Sequence, residues 1–320
     1  MLTSVVTPGI SSASVTGAPL TTTVPREYVH RASVAEVLLT GWEKTPSHGT
    51  GHLSDSYTVR AQWPRSHAVF APVGNHQDPM LLLESIRQTG ILLSHAEYGV
   101  PFGHQFLMWD LSFAATASAF TVDSSPTDVE LRTVCHDIVR RGRNLAGMRY
   151  DVSVHRDGVP VATGSAGFSC TSPGAHRRLR GGRPTTTNRP LPAPVDPAQV
   201  GHTNPQHVLL AASAATGGNR WELRVDTGHP IFFDHPVDHV PGMLLIEAAR
   251  QTARAATRQP GALLLALVSK FRRYAELDAP CWMEADVLRR DAGGDLRVHV
   301  RGTQQGEQVF AAELVLRPAP

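Results

Sequence analysis

The amino-acid sequence predicts an α+β protein built from two tandem copies of one domain, each an antiparallel sheet wrapped around a long buried helix. A Glu-x-x-Arg-Gln motif occurs twice inside an apolar stretch of helical spacing, where a hydrophobic core alone would require only apolar residues. The two occurrences pair Met80 with Met243, Glu84 with Glu247, Arg87 with Arg250, Gln88 with Gln251 and Thr89 with Thr252, always 163 residues apart. A run of strand-like segments follows each copy, so strands and helices do not alternate as in an α/β fold. A repeat of this length indicates a duplicated domain.

The first copy is predicted over residues 26–170, after an uncharged N-terminal tail at residues 1–25 that we expect to be disordered. Asp78 can cap the first helix, which is predicted to end near Tyr98, before Gly99 and Pro101. Its apolar side chains nearly encircle it, which is typical of a buried helix. Strands are predicted at residues 57–62, 68–70, 105–115, 129–139, 148–154 and 159–169, with a hairpin turn at residues 155–158.

The second copy is predicted over residues 201–320, after a linker at residues 171–200 that is rich in proline and arginine. Pro241 suits the first turn of the second helix, where its missing N–H is no loss, and a Pro-Gly pair ends that helix near Arg258. The string at residues 36–39 resembles that at residues 207–210, which extends the repeat towards the N-terminus of each copy. Strands are predicted at residues 221–225, 231–233, 263–271, 281–289, 296–302 and 308–316.

The composition indicates a soluble cytoplasmic protein. A chain of 320 residues with 41% hydrophobic content can form two cores. The net charge of +2 lacks the strong positive excess of nucleic-acid-binding proteins, and no apolar run approaches the roughly 20 residues of a membrane span. Cys135, Cys170 and Cys281 are scattered and odd in number, as expected in a reducing compartment. We therefore expect neither nucleic acid nor a membrane as a partner.

The segment before the second helix has the features of a binding site. Gly242 opens the helix and would let a ligand approach its free amides, whose partial positive charge favours a polarised oxygen. Glu247 then places a carboxylate in an apolar turn, where it is either paired or catalytic. His235 and His239 precede the helix, four residues apart. Because their loop contains proline and offers no third ligand, we expect no metal and no other cofactor.

The motif Pro-Gly-Met-Leu-x-x-Glu-Ala at residues 241–248 resembles the hotdog fold of 3-hydroxyacyl-carrier-protein dehydratases and thioesterases. In those dehydratases a loop histidine and a helix carboxylate form the site; His235 and Glu247 stand at the corresponding places here. The longer string at residues 233–251, with Arg250-Gln251 after the glutamate, is similar to the A-factor biosynthesis family. Those proteins are tandem-hotdog synthases of γ-butyrolactone autoregulators in actinomycetes. Residues 271–280 fit the same family, and the resemblance spans residues 26–317.

The resemblance implies an acyltransferase. Such a synthase transfers a β-ketoacyl chain from an acyl carrier protein (or CoA) thioester to the hydroxyl of dihydroxyacetone phosphate, a precursor step towards a butyrolactone, butenolide or furan signal. The chemistry requires amide donors for the thioester oxygen, a base for the hydroxyl, a guanidinium for the phosphate and an apolar slot for the acyl chain. Gly242 and Met243 are expected to supply the donors, and His239 is expected to contact substrate.

Each predicted role has an alternative. Glu84 and Glu247 are predicted bases, because a carboxylate in an apolar site tends to have a raised pKa. Arg87 and Arg250 are predicted to bind phosphate bidentately. Both Glu–Arg pairs could instead be ion pairs within their helices, since residues three apart share a face. His235 is either a base or orienting group, or a scaffold of its loop.

The two copies differ at the helix start. Residues 78–79 are Asp-Pro where residues 241–242 are Pro-Gly, and residues 71–72 are Ala-Pro where residues 234–235 are Asp-His. In paired hotdogs the site lies between the copies. We expect one main site that combines the Gly242 helix start with Glu247 and Arg250, while Glu84 contributes to it or belongs to an altered second site.

Two other functions remain open from the sequence. Another hotdog enzyme, a thioesterase or dehydratase, would turn over without dihydroxyacetone phosphate, whereas a non-catalytic acyl-binding protein would bind without turnover. The arginines at residues 140–143 or 177–183 could dock an acidic carrier protein, since complementary charge raises the rate of association. Two hotdogs in one chain already form the usual pair, so we expect a monomer or a homodimer.

Overall fold

The computed structural model describes residues 20–46, 55–212, 218–288, 290, 291 and 293–319. The strands of the first half are β1 (Leu39–Thr45), β2 (Asp55–Trp63), β3 (Gln105–Ala115), β4 (Thr127–Arg141), β5 (Asn144–Arg156) and β6 (Val159–Thr171). Those of the second half are β7 (Leu210–Ala212), β8 (Arg220–Leu223), β9 (Leu263–Phe271), β10 (Cys281–Val287), β11 (Leu296–Gln304) and β12 (Glu307–Arg317). The α-helices are α1 (Met80–Ala96), α2 (Pro173–Arg180), α3 (Pro197–Val200) and α4 (Gly242–Thr257).

All these strands form one antiparallel 12-stranded sheet with an internal symmetry. Its order is β1-β2-β4-β5-β6-β3-β9-β12-β11-β10-β8-β7, so the second half repeats the first in reverse. The halves join where β3 pairs with β9, with Asp110 opposite Lys270 and Ala114 opposite Ala266. In chain order, the long helix of each half follows the second strand of that half and precedes the third. The predicted α+β class and the predicted duplication are confirmed.

Both long helices are buried, as their nearly continuous apolar sequence predicts. The polar residues that interrupt this sequence are hydrogen-bonded, as buried polar groups require. In α1, Trp63 donates to the Ser85 hydroxyl (3.0 Å), which itself donates to the carbonyl of Leu81 (2.8 Å). The repeated glutamine supports the chain that precedes each helix, because Gln88 accepts from the amide of Leu38 (3.0 Å) and Gln251 from that of Leu209 (2.8 Å). The repeat therefore preserves structural contacts as well as residues.

Two short predicted strands are wrong. Residues 68–70 and 231–233 form bends and turns rather than strands. In the first, the ring nitrogen Nδ1 of His67 accepts from the amides of Val69 and Phe70 (3.2 and 3.0 Å). In the second, His229 accepts in the same way from residues 231 and 232. In each case the imidazole accepts hydrogen bonds from backbone amides that, in a strand, would bond to a neighbouring strand. The apolar run therefore does not join the sheet.

Parts of the predicted tail and linker form ordered structure. Residues 1–19 of the predicted tail lie outside the described residues, but Val24 is buried and donates to the carbonyl of Leu39 (2.9 Å). The predicted linker contains α2 and α3, and the Ser172 hydroxyl accepts from the amide of Ala175 at the start of α2 (3.3 Å). Among the helices of the described residues, none has the length and apolar character to cross a membrane.

Candidate active site between the two halves

A cavity with a volume of about 220 Å³ lies between the two halves. One side is formed by α1 and the chain before it, and the other by the loop and first turn of α4. The predicted site residues on its surface are Glu84, Arg87, His235, His239, Gly242 and Met243. Apolar side chains from β3, β6 and β9 complete the walls, including Phe106, Met108, Ala166, Phe168 and Phe271.

Two arginines surround one carboxylate at the centre of the cavity wall. Arg31 approaches Glu84 Oε1 at 2.6 Å, and Arg87 donates to both oxygens of Glu84 at 2.7 and 2.8 Å. Gln88 donates a further hydrogen bond to Oε1 at 2.7 Å. Burial would raise the pKa of Glu84, but attraction from Arg31 and Arg87 outweighs it and lowers the pKa to about 2. Glu84 is therefore a weak base, and its geometry suits the alignment of two guanidinium groups better than the predicted proton abstraction.

His235 lines the same cavity, next to Asp234. The Asp234 carboxylate accepts from the amides of Ala32 and Ser33, the latter at 3.0 Å, and lies 3.6 Å from Nδ1 of His235. Burial lowers the pKa of His235, and the positive charges of Arg31 and Arg87 lower it further, against the opposing effect of Asp234. The imidazole is therefore neutral at physiological pH.

The first turn of α4 closes the same cavity. A Cβ atom at Gly242 would lie 2.9 Å from the terminal methyl of Met108 and 3.2 Å from the Phe271 ring, so any side chain here would crowd the helix start where it lines the cavity. His239 lies beside it, with Nδ1 2.8 Å from Asp238 and its ring 4.8 Å from that of Tyr274. The free amides of the turn can thus meet an oxygen atom of a ligand in the cavity.

Glu247 and Arg250 do not line this cavity, and the grouping of Gly242 with these two residues is wrong. Both side chains are fully buried beside the start of the other helix, α1. The two groups are 2.8 Å apart without the alignment of a hydrogen bond, and His202 lies 3.1 Å from the Glu247 carboxylate. Each helix start faces the Glu–Arg pair of the other half, so residues close in sequence contribute to opposite sites.

The second of these sites is closed by a side chain of the protein. Asp78 accepts from the amide of Met80 (2.9 Å) and from Arg250 Nη1 (2.6 Å), and it leaves a space of only about 30 Å³. A carboxylate oxygen therefore bridges a helix-start amide and the repeated arginine. The cavity between the halves is the equivalent open site, and Pro241 stands there at the position of Asp78. Because the repeat relates Met80 to Met243 and Arg250 to Arg87, a ligand oxygen equivalent to the Asp78 oxygen would lie next to the Met243 amide and close to Arg87.

The Asp78–Arg250 pair is expected to hold the two halves together. Replacing Asp78 with alanine would leave a fully buried guanidinium with one partner fewer, which typically costs about 3–5 kcal/mol of unfolding free energy. Urea unfolding measures this loss. Asp286→Ala is the matched control, because the Asp286–Arg301 pair is largely exposed and its loss should cost less than about 1 kcal/mol. Equal losses in the two variants would contradict a structural role for the closed site.

Sequence reasoning missed Arg31 and His30, which both line the open cavity. They lie in a loop more than fifty residues before α1 reaches Glu84, and nothing local marks them. The repeat could have found Arg31, because residues 36–39 and 207–210 match with an offset of 171. Extended backwards, that offset pairs Arg31 with His202, and each of the two contacts the repeated glutamate of its half.

Comparisons with known proteins agree with this architecture. A family model described as the A-factor biosynthesis hotdog domain matches residues 12–172 and 184–318, which confirms the predicted tandem hotdogs. A 2-oxo-3-(phosphooxy)propyl 3-oxoalkanoate synthase of Streptomyces virginiae is 50% identical over 301 residues, 94% of this chain and 99% of the relative. A protein of the same name from Streptomyces coelicolor is 40% identical, with 91% and 90% coverage. Among solved structures, a 12:0-ACP thioesterase from Umbellularia californica gives a TM-score of 0.49 at 12% identity, with 82% and 94% coverage.

Proposed function

This chain belongs to the A-factor biosynthesis hotdog family, and we propose that it catalyses the reaction for which its relatives are named. It transfers a β-ketoacyl chain from a thioester to the hydroxyl of dihydroxyacetone phosphate and so forms a 2-oxo-3-(phosphooxy)propyl 3-oxoalkanoate. The observation that carries the proposal is one apolar cavity that contains two guanidinium groups, from Arg31 and Arg87, and an open helix start at Gly242.

The phosphate of the acceptor binds beside Arg31 and Arg87. These two cations share the carboxylate of Glu84, so this buried cluster of three side chains carries one positive charge in excess. Guanidinium groups pair bidentately with phosphate oxygens, and a buried site strengthens such pairs. Arg87 keeps the role that the sequence predicts for it, Arg31 joins it, and Glu84 aligns both.

The thioester oxygen accepts from the Met243 amide. Support comes from the closed site, where the Asp78 carboxylate occupies the equivalent position before Met80 and bonds to Arg250. A preorganised donor aimed at a developing oxyanion typically accelerates acyl transfer by about 10²–10³. The acyl chain then packs along the apolar wall, which includes Ile91, Phe106, Phe168, Phe232 and Phe271.

Mass spectrometry of products tests the proposal. Incubated with a β-ketoacyl thioester and dihydroxyacetone phosphate, the protein is expected to form the phosphorylated ester, and to form none without the phosphate acceptor. Free β-keto acid released at the same rate with and without acceptor would instead identify a thioesterase, and an enoyl product a dehydratase. Tight acyl binding without any product would identify a non-catalytic binding protein.

An acidic carrier protein is the donor that best fits the surface beside the cavity. Arg177 and Arg178 are exposed on α2, and no described residue forms an ion pair with either. Arg180, on the same helix, is buried between Asp238 (3.0 Å) and the Tyr274 ring (3.9 Å), which ties α2 to the cavity wall. Arg180 is therefore not available for docking, unlike Arg177 and Arg178. Location in the cytoplasm and a monomeric or homodimeric state stay predictions.

Neutralising α2 should affect a carrier-bound donor selectively. In Arg177→Gln/Arg178→Gln, kcat/KM for a carrier-bound thioester is expected to fall about tenfold at low salt, since lost charge complementarity mainly slows association. The same thioester on a small thiol should react unchanged. Arg65→Gln/Arg132→Gln removes two exposed arginines elsewhere and serves as the control. An equal loss with both donors, or in the control, would exclude α2 as the docking helix.

A further inference from the structure

His30 lines the open cavity and begins a chain of hydrogen bonds that ends on the backbone. Its ring atom Nε2 lies 2.8 Å from Nε2 of His95, whose Nδ1 lies 2.6 Å from the carbonyl oxygen of Val100. The Phe106 ring packs edge-on against His30 at 5.1 Å and helps to fix its orientation. No described residue forms a hydrogen bond to the remaining ring atom, Nδ1 of His30.

The carbonyl at the end of this chain determines where the ring protons lie. A carbonyl oxygen can only accept, so Nδ1 of His95 carries a proton and donates it to Val100. Burial lowers the pKa of His95, which is therefore neutral at physiological pH and has a bare Nε2. That atom accepts from Nε2–H of His30. Neutral His30 consequently has an unprotonated Nδ1, which is the one atom of its ring free to accept a proton from a ligand.

The backbone at His30 is one that glycine adopts more easily. His30 has a left-handed conformation with φ 52° and ψ 54°, at the end of the short helical turn Arg26–Val29. The offset of 171 residues pairs it with Gly201, which ends α3 with φ 78°. The closed site thus has glycine, which adopts the left-handed conformation without strain. The open site has histidine at the same position, where this conformation is somewhat strained. Such strain is commonly kept where the side chain has a function.

We propose that His30 is the general base that activates the hydroxyl of the acceptor, an inference that rests on the proposed function. Nδ1 of His30 takes the hydroxyl proton while the hydroxyl oxygen bonds to the thioester carbonyl carbon. The carbon–sulfur bond then breaks, and the departing thiolate takes that proton from Nδ1. The products are the ester and a free thiol, and neutral His30 is restored. His95 is a positioning residue that holds the required tautomer.

Before substrate binds, His30 is neutral and only a weak base. Burial lowers its pKa to about 3, and the positive charge of Arg87 contributes to the lowering. A phosphate dianion beside Arg87 would cancel positive charge near His30 and raise its pKa. The base therefore becomes stronger when the acceptor is in place.

His30→Gly with added imidazole tests the proposal. Glycine suits the left-handed backbone, as Gly201 shows in the other half, so the variant should fold. The rate of ester formation is expected to fall about 10²–10⁴-fold, the usual contribution of general base catalysis. Imidazole in solution should restore part of the rate, and more basic imidazoles should restore more. A merely structural histidine would give no such dependence on basicity.

His235→Gly is the matched comparison, because His235 also lines the cavity, is neutral at physiological pH and lies next to Asp234. Imidazole rescue in His235→Gly but not in His30→Gly would overturn the proposal and make His235 the base. So would a His30→Gly variant that keeps the wild-type rate, or one whose loss no imidazole reverses. If the wild-type protein forms no ester at all, the proposed function fails, which is a result distinct from these.

Discussion

Replacing Arg87 with alanine is expected to reduce kcat/KM for dihydroxyacetone phosphate by about 10²–10³-fold while the protein stays folded. Loss of one partner from a buried charge pair typically costs about 2–5 kcal/mol of binding or transition-state energy, and each 1.4 kcal/mol is about tenfold. The fold should tolerate the change, because Arg31 and Gln88 still pair with Glu84. Steady-state kinetics at saturating thioester measure the effect.

Two further variants make the result specific. Arg87→Lys keeps the charge but not the bidentate geometry and should lie between alanine and wild type. Arg149→Ala removes an arginine from the same half whose partner is Asp110 (2.8 Å) and which is not among the cavity residues, so it should leave kcat/KM unchanged. A wild-type value in Arg87→Ala would show that phosphate binds elsewhere.

Replacing Gly242 with valine is expected to reduce kcat/KM for the thioester by about 10²-fold or more. Even one Cβ atom would crowd the flexible end of Met108 and the Phe271 ring, and valine adds two methyl groups at the helix start. The thioester oxygen would then be kept from the Met243 amide, and loss of one oxyanion donor alone costs about 10²–10³ in rate. Initial rates over a range of thioester concentrations measure the loss.

The controls for this variant distinguish blocked access of the thioester to the helix start from a loss of affinity for the acceptor. Gly242→Ala should lose less, since Met108 can move. Gly261→Ala, where a Cβ would meet only Ala319 at 3.5 Å, should behave as wild type. Calorimetry should give the same affinity of Gly242→Val for dihydroxyacetone phosphate as wild type. If Gly242→Val reacts with the thioester at the wild-type rate, the helix start does not bind the thioester oxygen.

Much of the fold was predictable because the chain repeats itself. The polar Glu-x-x-Arg-Gln motif inside two apolar helices located both cores, and most strands followed from alternating residues between turns. The strands predicted at residues 68–70 and 231–233 do not form, because the imidazoles of His67 and His229 accept hydrogen bonds from the backbone amides of these segments. Those bonds depend on a histidine that a local propensity argument treats as an ordinary turn residue.

Several residues of the candidate site were predictable from the sequence, but their grouping was not. Gly242 and Glu247 are five residues apart on one helix, and sequence proximity favoured placing them in one site. Each helix start instead faces the glutamate and arginine of the other half, a relation set by the pairing of β3 with β9. Asp78 appeared to be an ordinary helix cap, and only its contact with Arg250 reveals that it closes a site. Tertiary packing brings Arg31 and His30 to the cavity, and no local motif marks either residue.

A crystal structure with the phosphorylated ester bound would show which of the two sites is catalytic. We expect one ester per chain, with its phosphate beside Arg31 and Arg87 and its carbonyl oxygen within hydrogen-bonding distance of the Met243 amide. The Asp78–Arg250 pair should stay intact in the same crystal. An ester bound at Arg250 with Asp78 displaced would instead make the site that we describe as closed the catalytic one, and the proposed roles of Arg31, Arg87 and Gly242 would be wrong.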